Sequence, residues 1–346
     1  MNVFIGLDVS LASTAICAVS ESGKILQAVS ADSEPEALVR ALGQIEGSIA
    51  SVGLEAGPLS QWLHKHLSDA GFNTVLLETR HVKGVLKAMP IKTDRRDAEG
   101  IARLLHMGWF RPVHCKSISA QETRALLTTR KALQQSVMNL ESSVRGVLRN
   151  FGLKIGSVTK QRFEARVREL ADGNMMLEAA VDAILASRKA LREQYSEVDA
   201  RLVALAKGDA VCELMMSMPG VGAIIALTVK SAIDDPERFK SSKDVGPWSG
   251  LTPKRSQSGE MDIVGHITKA GDASLRAALY QAATVMLNIA KPNWLSAWAL
   301  RVAHRRGKRR ATTALARRIC VVLHRMWRDG RVFATTRERA MSTKLA

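Results

Sequence analysis

NVFIGLDVSLASTAICAVS, residues 2–20, is the stretch that decides the fold of the first part of this chain. Apolar residues alternate with smaller or polar ones at Val3, Ile5 and Leu7, which is the two-residue period of a β-strand. Residues 14–19 and 25–29 form two more short apolar runs. We therefore expect a meander of three strands at the start of the chain.

Helical and extended patterns alternate after this meander. Apolar residues recur at helical spacing over residues 36–49 and 60–70, and short apolar runs at 51–54 and 74–77 indicate buried strands. A meander followed by such alternation is typical of an α/β sheet covered by helices. We expect this part of the chain to end near Pro112.

The middle of the chain has a different texture. Residues 119–205 contain few glycines and no proline, and apolar residues recur at steps of three and four among many charges. This pattern predicts long antiparallel helices or a coiled coil. Two glycines interrupt it within residues 148–160, where we expect the tip of a helical hairpin.

The sequence MPGVG, residues 218–222, lies between an apolar run at 211–216 and a helix that we expect from Ala223. It resembles a helix-hairpin-helix element, whose turn amides can meet a DNA phosphate. An ordinary tight connection between two helices is the alternative. Further helices are expected from Ala273 to the end of the chain.

Charge and composition limit the possible partners. The chain has 346 residues and a formal net charge of +17, which indicates a polyanionic partner such as nucleic acid. The segment RVAHRRGKRR, residues 301–310, concentrates this charge, although a solvated helix face would also be basic. No apolar run or leader pattern suggests a membrane or an export signal, so we expect a cytoplasmic protein with no membrane partner.

Four acidic residues from separate segments form the first candidate site. Asp8 ends the first strand, Glu55 follows a second short strand, and Asp94 and Asp97 stand three apart at the start of an expected helix. Asp94 as a helix N-cap with Asp97 in the first turn would be the bland alternative. Phosphodiester chemistry needs such a cluster, because carboxylate oxygens hold hard cations that activate the attacking group. We expect Mg²⁺, with Mn²⁺ as the alternative ion.

The second candidate site is GLTPKRSQSGEMDIVGHITKAGDASLR, residues 250–276. Its serines stand among glycines and cations, so Ser258 or Ser256 could attack a phosphate that the cations hold. Serines in such a stretch are commonly turn residues only. The cations that we expect to contact nucleic acid, here and in the basic tail, are Lys254, Arg255, His266, Lys269, Arg276, Arg305, Arg306, Lys308, Arg309 and Arg310.

These motifs, taken in order, resemble those of the IS110-type transposases, or DEDD recombinases, which include the Piv DNA invertases. The resemblance rests on GLDVS, GLEA, PIKTDRRDAEGIARLL, MPGVG and GLTPKRSQSG with the downstream ITKAGDASLR. It implies a RuvC-like, RNase H-type catalytic domain at residues 1–115, a helical coiled-coil arm at 116–208 and a mainly α-helical transposase domain at 209–346. The acidic tetrad would fall on the four residues named above.

The resemblance also implies a mechanism and partners. A serine of the last domain would form a covalent phosphoserine link to DNA, and Ser258 matches its position before a glycine best, with Ser256 as the alternative. Donor and target DNA would be the substrates, a structured noncoding guide RNA would choose them, and the protein would act as a homo-oligomer, a dimer or a tetramer.

Two other functions remain open from the sequence. A RuvC-like junction resolvase or nuclease would keep the four acids and use water in place of the serine. A non-enzymatic basic scaffold for nucleic acid would keep only the positive surface. A covalent protein–DNA adduct distinguishes the first alternative from the transposase, and metal-dependent cleavage excludes the second.

Overall fold

The computed structural model describes residues 1–87 and 91–336. The chain divides into two compact units, of which the first ends at Lys116 and the second begins at Ser117. In the described ranges, none of the helices is both long and apolar enough to span a bilayer.

The first unit is built on a five-stranded sheet with the order β3-β2-β1-β4-β5. The strands β1, β2 and β3 form the expected antiparallel meander, and β4 and β5 extend it in parallel from β1. The strand bounds are β1 Asn2–Val9, β2 Ser13–Ser20, β3 Ile25–Asp32, β4 Ser48–Glu55 and β5 Thr74–Leu77.

Four helices accompany this sheet. Their bounds are α1 Pro35–Gly43, α2 Ser60–Asp69, α3 Thr79–Leu86 and α4 Asp94–His106. Val3, Ile5 and Leu7 are fully buried on one face of the sheet, in a core that includes apolar residues of α1 and α2. The other face packs against α4 through Ala98 and Ala102. The predicted α/β architecture is confirmed, since helices cover both faces of the sheet. Successive side chains of β1 turn to opposite faces, as the spacing of Val3, Ile5 and Leu7 predicted.

Gly6 determines how closely α4 approaches the sheet. A Cβ atom at this position would lie 2.1 Å from the carbonyl oxygen of Ala98 and 2.4 Å from the amide nitrogen of Ala102. Only glycine leaves room for the helix backbone at that distance. The middle of α4 is therefore held against β1.

One helix boundary and one additional helix of the first unit differ from the prediction. The helix expected over residues 36–49 ends at Gly43, because the chain has to turn before β4 begins at Ser48, and Gly47 adopts a φ of +110° in that turn. The helix α3 was not predicted. It is eight residues long, and although Val82, Val85 and Leu86 stand at helical spacing, so short a helix was not recognised from the sequence.

The second unit is mainly helical, as predicted. Its helices are α5 Ile118–Asn150, α6 Phe163–Ala171, α7 Met175–Lys207, α8 Ala210–Met216, α9 Ala223–Ile233, α10 Val245–Trp248, α11 Ala273–Asn288, α12 Trp294–Arg306 and α13 Lys308–Asp329. The 33-residue helices α5 and α7 run antiparallel, since Glu141 pairs with Arg188 while Arg130 pairs with Asp199. The helix α6 packs with α5 and α7 in one apolar core, and the end of α7 joins α8 to α13 in a second one.

A two-stranded hairpin interrupts the helices of the second unit. It consists of β6 Pro253–Ser258 and β7 Met261–Ile267, paired antiparallel. The sequence suggested only a Gly- and Ser-rich stretch here. All but the last residue of the two strands are exposed, so no alternation of buried and exposed residues marks them in the sequence.

Candidate functional site

Asp8 and Glu55 lie at the same edge of the sheet. The strands β1 and β4 are parallel neighbours, and their register ends with Leu7 opposite Leu54, so the two acids are the next residues along each strand. Leu7 and Leu54 are buried in the core on the α1 and α2 side. Because side chains alternate along a strand, the two acids face the other side, where α4 packs.

Asp94 and Asp97 stand in the first turn of α4. The N-cap of this helix is Thr93, whose hydroxyl accepts a hydrogen bond from the amide of Arg96 at 3.3 Å. Asp94 is therefore the first helical residue and not the cap, which corrects the capping alternative considered from the sequence. Because Thr93 caps α4, neither the Asp94 nor the Asp97 carboxylate is needed to cap this helix.

All four acids line one cleft of the first unit, with a volume of about 870 Å³. Burial, together with the negative charges of Asp97, Asp94 and Glu55, raises the pKa of Asp8 to about 6, and the positive charge of Lys92 opposes this rise. Like charges that act on one another in this way favour a bound cation. The acids thus form one electrostatically coupled group.

The donor set suits a hard divalent cation, since carboxylate oxygens are the ligands that Mg²⁺ and Mn²⁺ prefer. Within residues 1–87 and 91–336, however, no three acidic, histidine or cysteine side chains stand close enough together to hold a metal ion as they are placed. The chemistry of the residues fits the ion, and their side chains would have to turn inward to ligate it.

Three lysines that sequence analysis did not select also line this cleft: Lys83, Lys87 and Lys92. Lys83 and Leu86 belong to α3, and Lys87 directly follows this helix. Because positions 83, 86 and 87 are three and four residues apart, these side chains lie on one face of the helix. Lys92 precedes Asp94 by two residues inside the motif PIKTDRRDAEG. That position was a usable signal for Lys92, and the helical spacing of Val82, Val85 and Leu86 was a short signal for α3.

The two candidate serines belong to the second unit. Ser256 lies within β6 and Ser258 at its end, and both are exposed. Ser256 is opposite Ile263 and Ser258 is opposite Met261, so the two serines point to the same face of the hairpin. Gly259 follows with a φ of +55°, which permits the tight turn.

Two family models match this chain. A family model for DEDD transposases of the IS110 type, described as a transposase, matches residues 5–152. A second model, described as the transposase IS116/IS110/IS902 family, matches residues 212–299. This chain belongs to the IS110 transposase family. It is therefore a transposase, an enzyme that acts on DNA, and its DEDD domain indicates the use of a divalent metal.

Curated relatives of this IS110-family transposase cover most of its length. It is 29% identical over 324 residues to the transposase for insertion sequence element IS1111A of Coxiella burnetii, which covers 90% of this chain and 86% of the relative. It is 25% identical over 238 residues to the transposase for insertion sequence element IS1328 of Yersinia enterocolitica, which covers 68% of this chain and 70% of the relative.

The cations predicted around the hairpin of this IS110-family transposase have different surroundings. Arg255 forms two hydrogen bonds to the carboxylate of Asp262, at 2.7 and 2.6 Å. Arg276 is half-buried and donates to the carbonyl oxygens of Ala270 and Gly271 at 2.6 and 2.9 Å, so it holds the loop before α11. The remaining predicted cations of this region, Lys254, His266 and Lys269, are exposed.

The basic tail forms an exposed positive surface at the junction of α12 and α13. Arg305 and Arg306 end α12, Gly307 turns the chain with a φ of +82°, and Lys308 begins α13. The five predicted cations at this junction are exposed: Arg305, Arg306, Lys308, Arg309 and Arg310. Basic residues in the first turn of a helix oppose its dipole, so helix stability does not account for those of α13.

The MPGVG motif forms a tight turn between α8 and α9. Gly220 has a φ of +87°, and a Cβ there would lie 2.6 Å from the carbonyl oxygen of Ala282 in α11. Gly222 is exposed, and α9 begins after it without a side-chain cap. The glycine at 220 thus serves packing, whereas Gly222 lies exposed directly before α9.

Proposed function

We propose that this transposase cleaves and exchanges DNA strands in a metal-dependent reaction that proceeds through a phosphoserine intermediate. The observation that carries the proposal is the single cleft lined by Asp8, Glu55, Asp94 and Asp97, whose charges act together on Asp8. Their order along the chain, D-E-D-D, agrees with the name of the family. The five-stranded sheet with an antiparallel meander and two parallel strands supports a RuvC-like, RNase H-type fold.

The four acids would hold Mg²⁺, or Mn²⁺ in its place, and the bound metal would supply charge stabilisation at the phosphate. Lys83, Lys87 and Lys92 would contact phosphate oxygens on either side of the reacting one, since they line the same cleft. The DNA strand would thus be held in two ways. The acids would bind it through the metal ion, and the lysine ammonium groups would bind its phosphates directly.

Ser258 is the proposed nucleophile, with Ser256 as the alternative on the same face of the hairpin. Its oxygen forms a bond to phosphorus, the bond from phosphorus to one sugar oxygen breaks, and that sugar oxygen takes up a proton as the serine loses one. A hydroxyl of the partner strand then attacks the phosphoserine, which restores the serine and rejoins DNA. The phosphoester bond is conserved, so no nucleotide cofactor is needed.

Several parts of the chain suit the proposed partners. Exposed cations at the α12–α13 junction and at the hairpin would bind donor and target DNA and a noncoding guide RNA. The helices α5 and α7 would act as a coiled-coil arm in a dimer or tetramer. The turn at Gly222 would serve as a helix-hairpin-helix-like contact to a phosphate, because Gly222 is exposed and α9 begins directly after it without a side-chain cap.

A water-using nuclease or junction resolvase is the second candidate. The observation that favours it is that the four acids and three lysines, which are all that hydrolysis would require, lie in the first unit. Water would then take the place of the serine, and no covalent adduct would form.

One experiment separates the two candidates. Purified protein is incubated with supercoiled donor and target DNA, the noncoding RNA that flanks the element and Mg²⁺, and denaturing electrophoresis is used to find DNA linked to protein. The variants are Ser258→Ala, Ser256→Ala and Asp8→Asn. We expect an adduct that Ser258→Ala and Asp8→Asn abolish and Ser256→Ala retains. Cleavage without an adduct, unaffected by either serine change, would establish the water-using nuclease instead.

A further inference from the structure

The turn between β1 and β2 presents a leucine to solvent beside the acids. Leu11 is 80% exposed, more than any other leucine among the described residues. It lines the same cleft as Asp8 and Glu55. An apolar side chain of this size in open water gains free energy from any contact that covers it.

Buried hydrogen bonds hold this turn in place. The hydroxyl of Ser33 donates to the carbonyl oxygen of Ser10 at 2.7 Å, and the amide of Ser33 donates to the carbonyl oxygen of Ala12 at 3.0 Å. The hydroxyl of Thr14 lies 2.8 Å from that of Ser33 and donates to it, since Ser33 already uses its proton. Ser33 and Thr14 are 3% and 0% exposed. The backbone on both sides of Leu11 is thus fixed.

A fixed backbone under an exposed apolar side chain is suited to binding, because little conformational entropy is lost when a partner covers it. The surroundings indicate which partner. The cleft combines carboxylates with Lys83, Lys87 and Lys92, which suits a phosphodiester strand better than an apolar protein segment. A nucleotide has two surfaces next to its phosphate that an alkyl group can cover, namely the sugar and the base.

We propose that Leu11 packs against the sugar and base of the nucleotide next to the reacting phosphate and holds that base out of its normal stack. Apolar side chains, leucine among them, act in this way when they enter between base steps. The inference rests on the proposed function, since it takes the acidic cleft as the site where the strand is cut. The Leu11 contact would position the strand in this cleft by apolar packing, in addition to the charged contacts of the acids and lysines.

Substitution separates this role from a structural one. Leu11→Ser should lower the rate of strand cleavage by about tenfold, because it removes most of the apolar contact in the reacting complex. Leu11→Met should retain most of the rate. Neither change should alter thermal unfolding, since the side chain is exposed. Met107→Ser is the matched control, because Met107 is 58% exposed in the same unit and does not line the cleft.

Position is tested directly by a photoreactive leucine analogue at residue 11 of the full chain. The protein is irradiated with end-labelled element DNA, noncoding RNA and Mg²⁺, the crosslinked nucleotide is mapped by primer extension, and the cleavage position is mapped on the same DNA. A crosslink within about two nucleotides of the cleavage position, absent with the analogue at residue 107, supports the proposal.

Crosslinking to RNA, to distant DNA or to another protein chain would overturn it, and so would the absence of a crosslink. A crosslink to protein would make Leu11 a contact between chains instead. Failure of the proposed function is distinguishable, because it appears as missing metal-dependent cleavage by the unsubstituted protein in the same reactions.

Discussion

The ammonium nitrogen of Lys83 lies 3.8 Å from a carboxylate oxygen of Glu55, at the edge of the acidic cleft. The Lys83 side chain is 71% exposed and that of Glu55 is 25% exposed, so solvent screens the pair and its free energy is small. The lysine nonetheless places a positive charge where a divalent cation would also be attracted. We therefore expect the lysine and a bound divalent cation to compete for Glu55.

Lys83→Met should increase the affinity of the DNA-free protein for Mn²⁺, by up to about fivefold, because an exposed ion pair of this kind contributes at most about 1 kcal/mol. Free Mn²⁺ is measured by electron paramagnetic resonance during titration. Lys65→Met is the control, since Lys65 pairs with Asp69 on α2 outside the cleft. Equal or weaker Mn²⁺ binding in Lys83→Met would show that the lysine does not compete with the metal.

Gly6→Ala should destabilise the first unit by about 1–3 kcal/mol, the usual cost of inserting a methyl group into a packed interior. The new Cβ would meet the backbone of α4 at Ala98 and Ala102 and move the start of that helix away from Asp8. Hydrogen exchange of peptides from β1 and α4 reports the loss of stability, and Mn²⁺ titration reports the disturbed acids.

Gly43→Ala is the matched control for that substitution. Gly43 ends α1, and no atom lies within 4 Å of a Cβ built there, so an added methyl group meets open space. It should leave exchange in β1 and α4 unchanged. Equal protection in Gly6→Ala and the unsubstituted protein would contradict the close packing of α4 on β1.

Asp8→Asn should stabilise the metal-free protein at pH 7.5. The folded chain raises the pKa of Asp8 from 3.8 to about 6, so it favours the protonated carboxyl and loses stability as pH rises from about 4 to about 6. Asparagine carries no charge and avoids this loss. After discounting for solvent screening, we expect a gain of roughly 1 kcal/mol at pH 7.5 that disappears near pH 4.

Thermal unfolding in chelator at both pH values measures this difference. Asp32→Asn, at the exposed end of β3, is the control and should follow the unsubstituted protein at each pH. A stability difference between Asp8→Asn and the unsubstituted protein that is the same at pH 4 and pH 7.5 would refute the electrostatic origin. Mg²⁺ should narrow the difference at pH 7.5, because it compensates the charge of the acids.

His324 of α13 should make the second unit sensitive to acid. It is fully buried, with one ring nitrogen 2.9 Å from the hydroxyl of Ser242 and the other 2.9 Å from the carbonyl oxygen of Pro236. Burial lowers its pKa below 6.5, and the nearby positive charges of Arg328 and Arg238 act in the same direction, against the hydrogen bond to Pro236 and the charge of Glu237.

A lowered histidine pKa stabilises the fold above pH 6.5, where the ring is neutral in both states, and that stability is lost as pH falls towards the folded pKa. We expect protection of α13 amides to fall between pH 7.5 and pH 5. His324→Gln should reduce this pH dependence, whereas His304→Gln, at an exposed position of α12, should retain it. An unchanged pH dependence in His324→Gln would assign the acid sensitivity to another group.

The sequence by itself determined the strands of the meander, the α/β character of the first unit and the helical character of the second. These follow from local patterns, because the spacing of residues such as Val3, Ile5 and Leu7 already states which side of a strand is buried. The order of its motifs also identified the family. The four acids could be proposed because each stands at the end of a recognisable element.

The tertiary structure decided what these residues meet. The parallel pairing of β1 with β4 brings Asp8 beside Glu55, and α3, a helix too short to be recognised in the sequence, brings Lys83 to Glu55. Pairing of β6 with β7 similarly brings Arg255 into an ion pair with Asp262. Contacts between exposed polar side chains depend on how distant elements pack, and because these side chains are not buried, no hydrophobic period records them in the sequence.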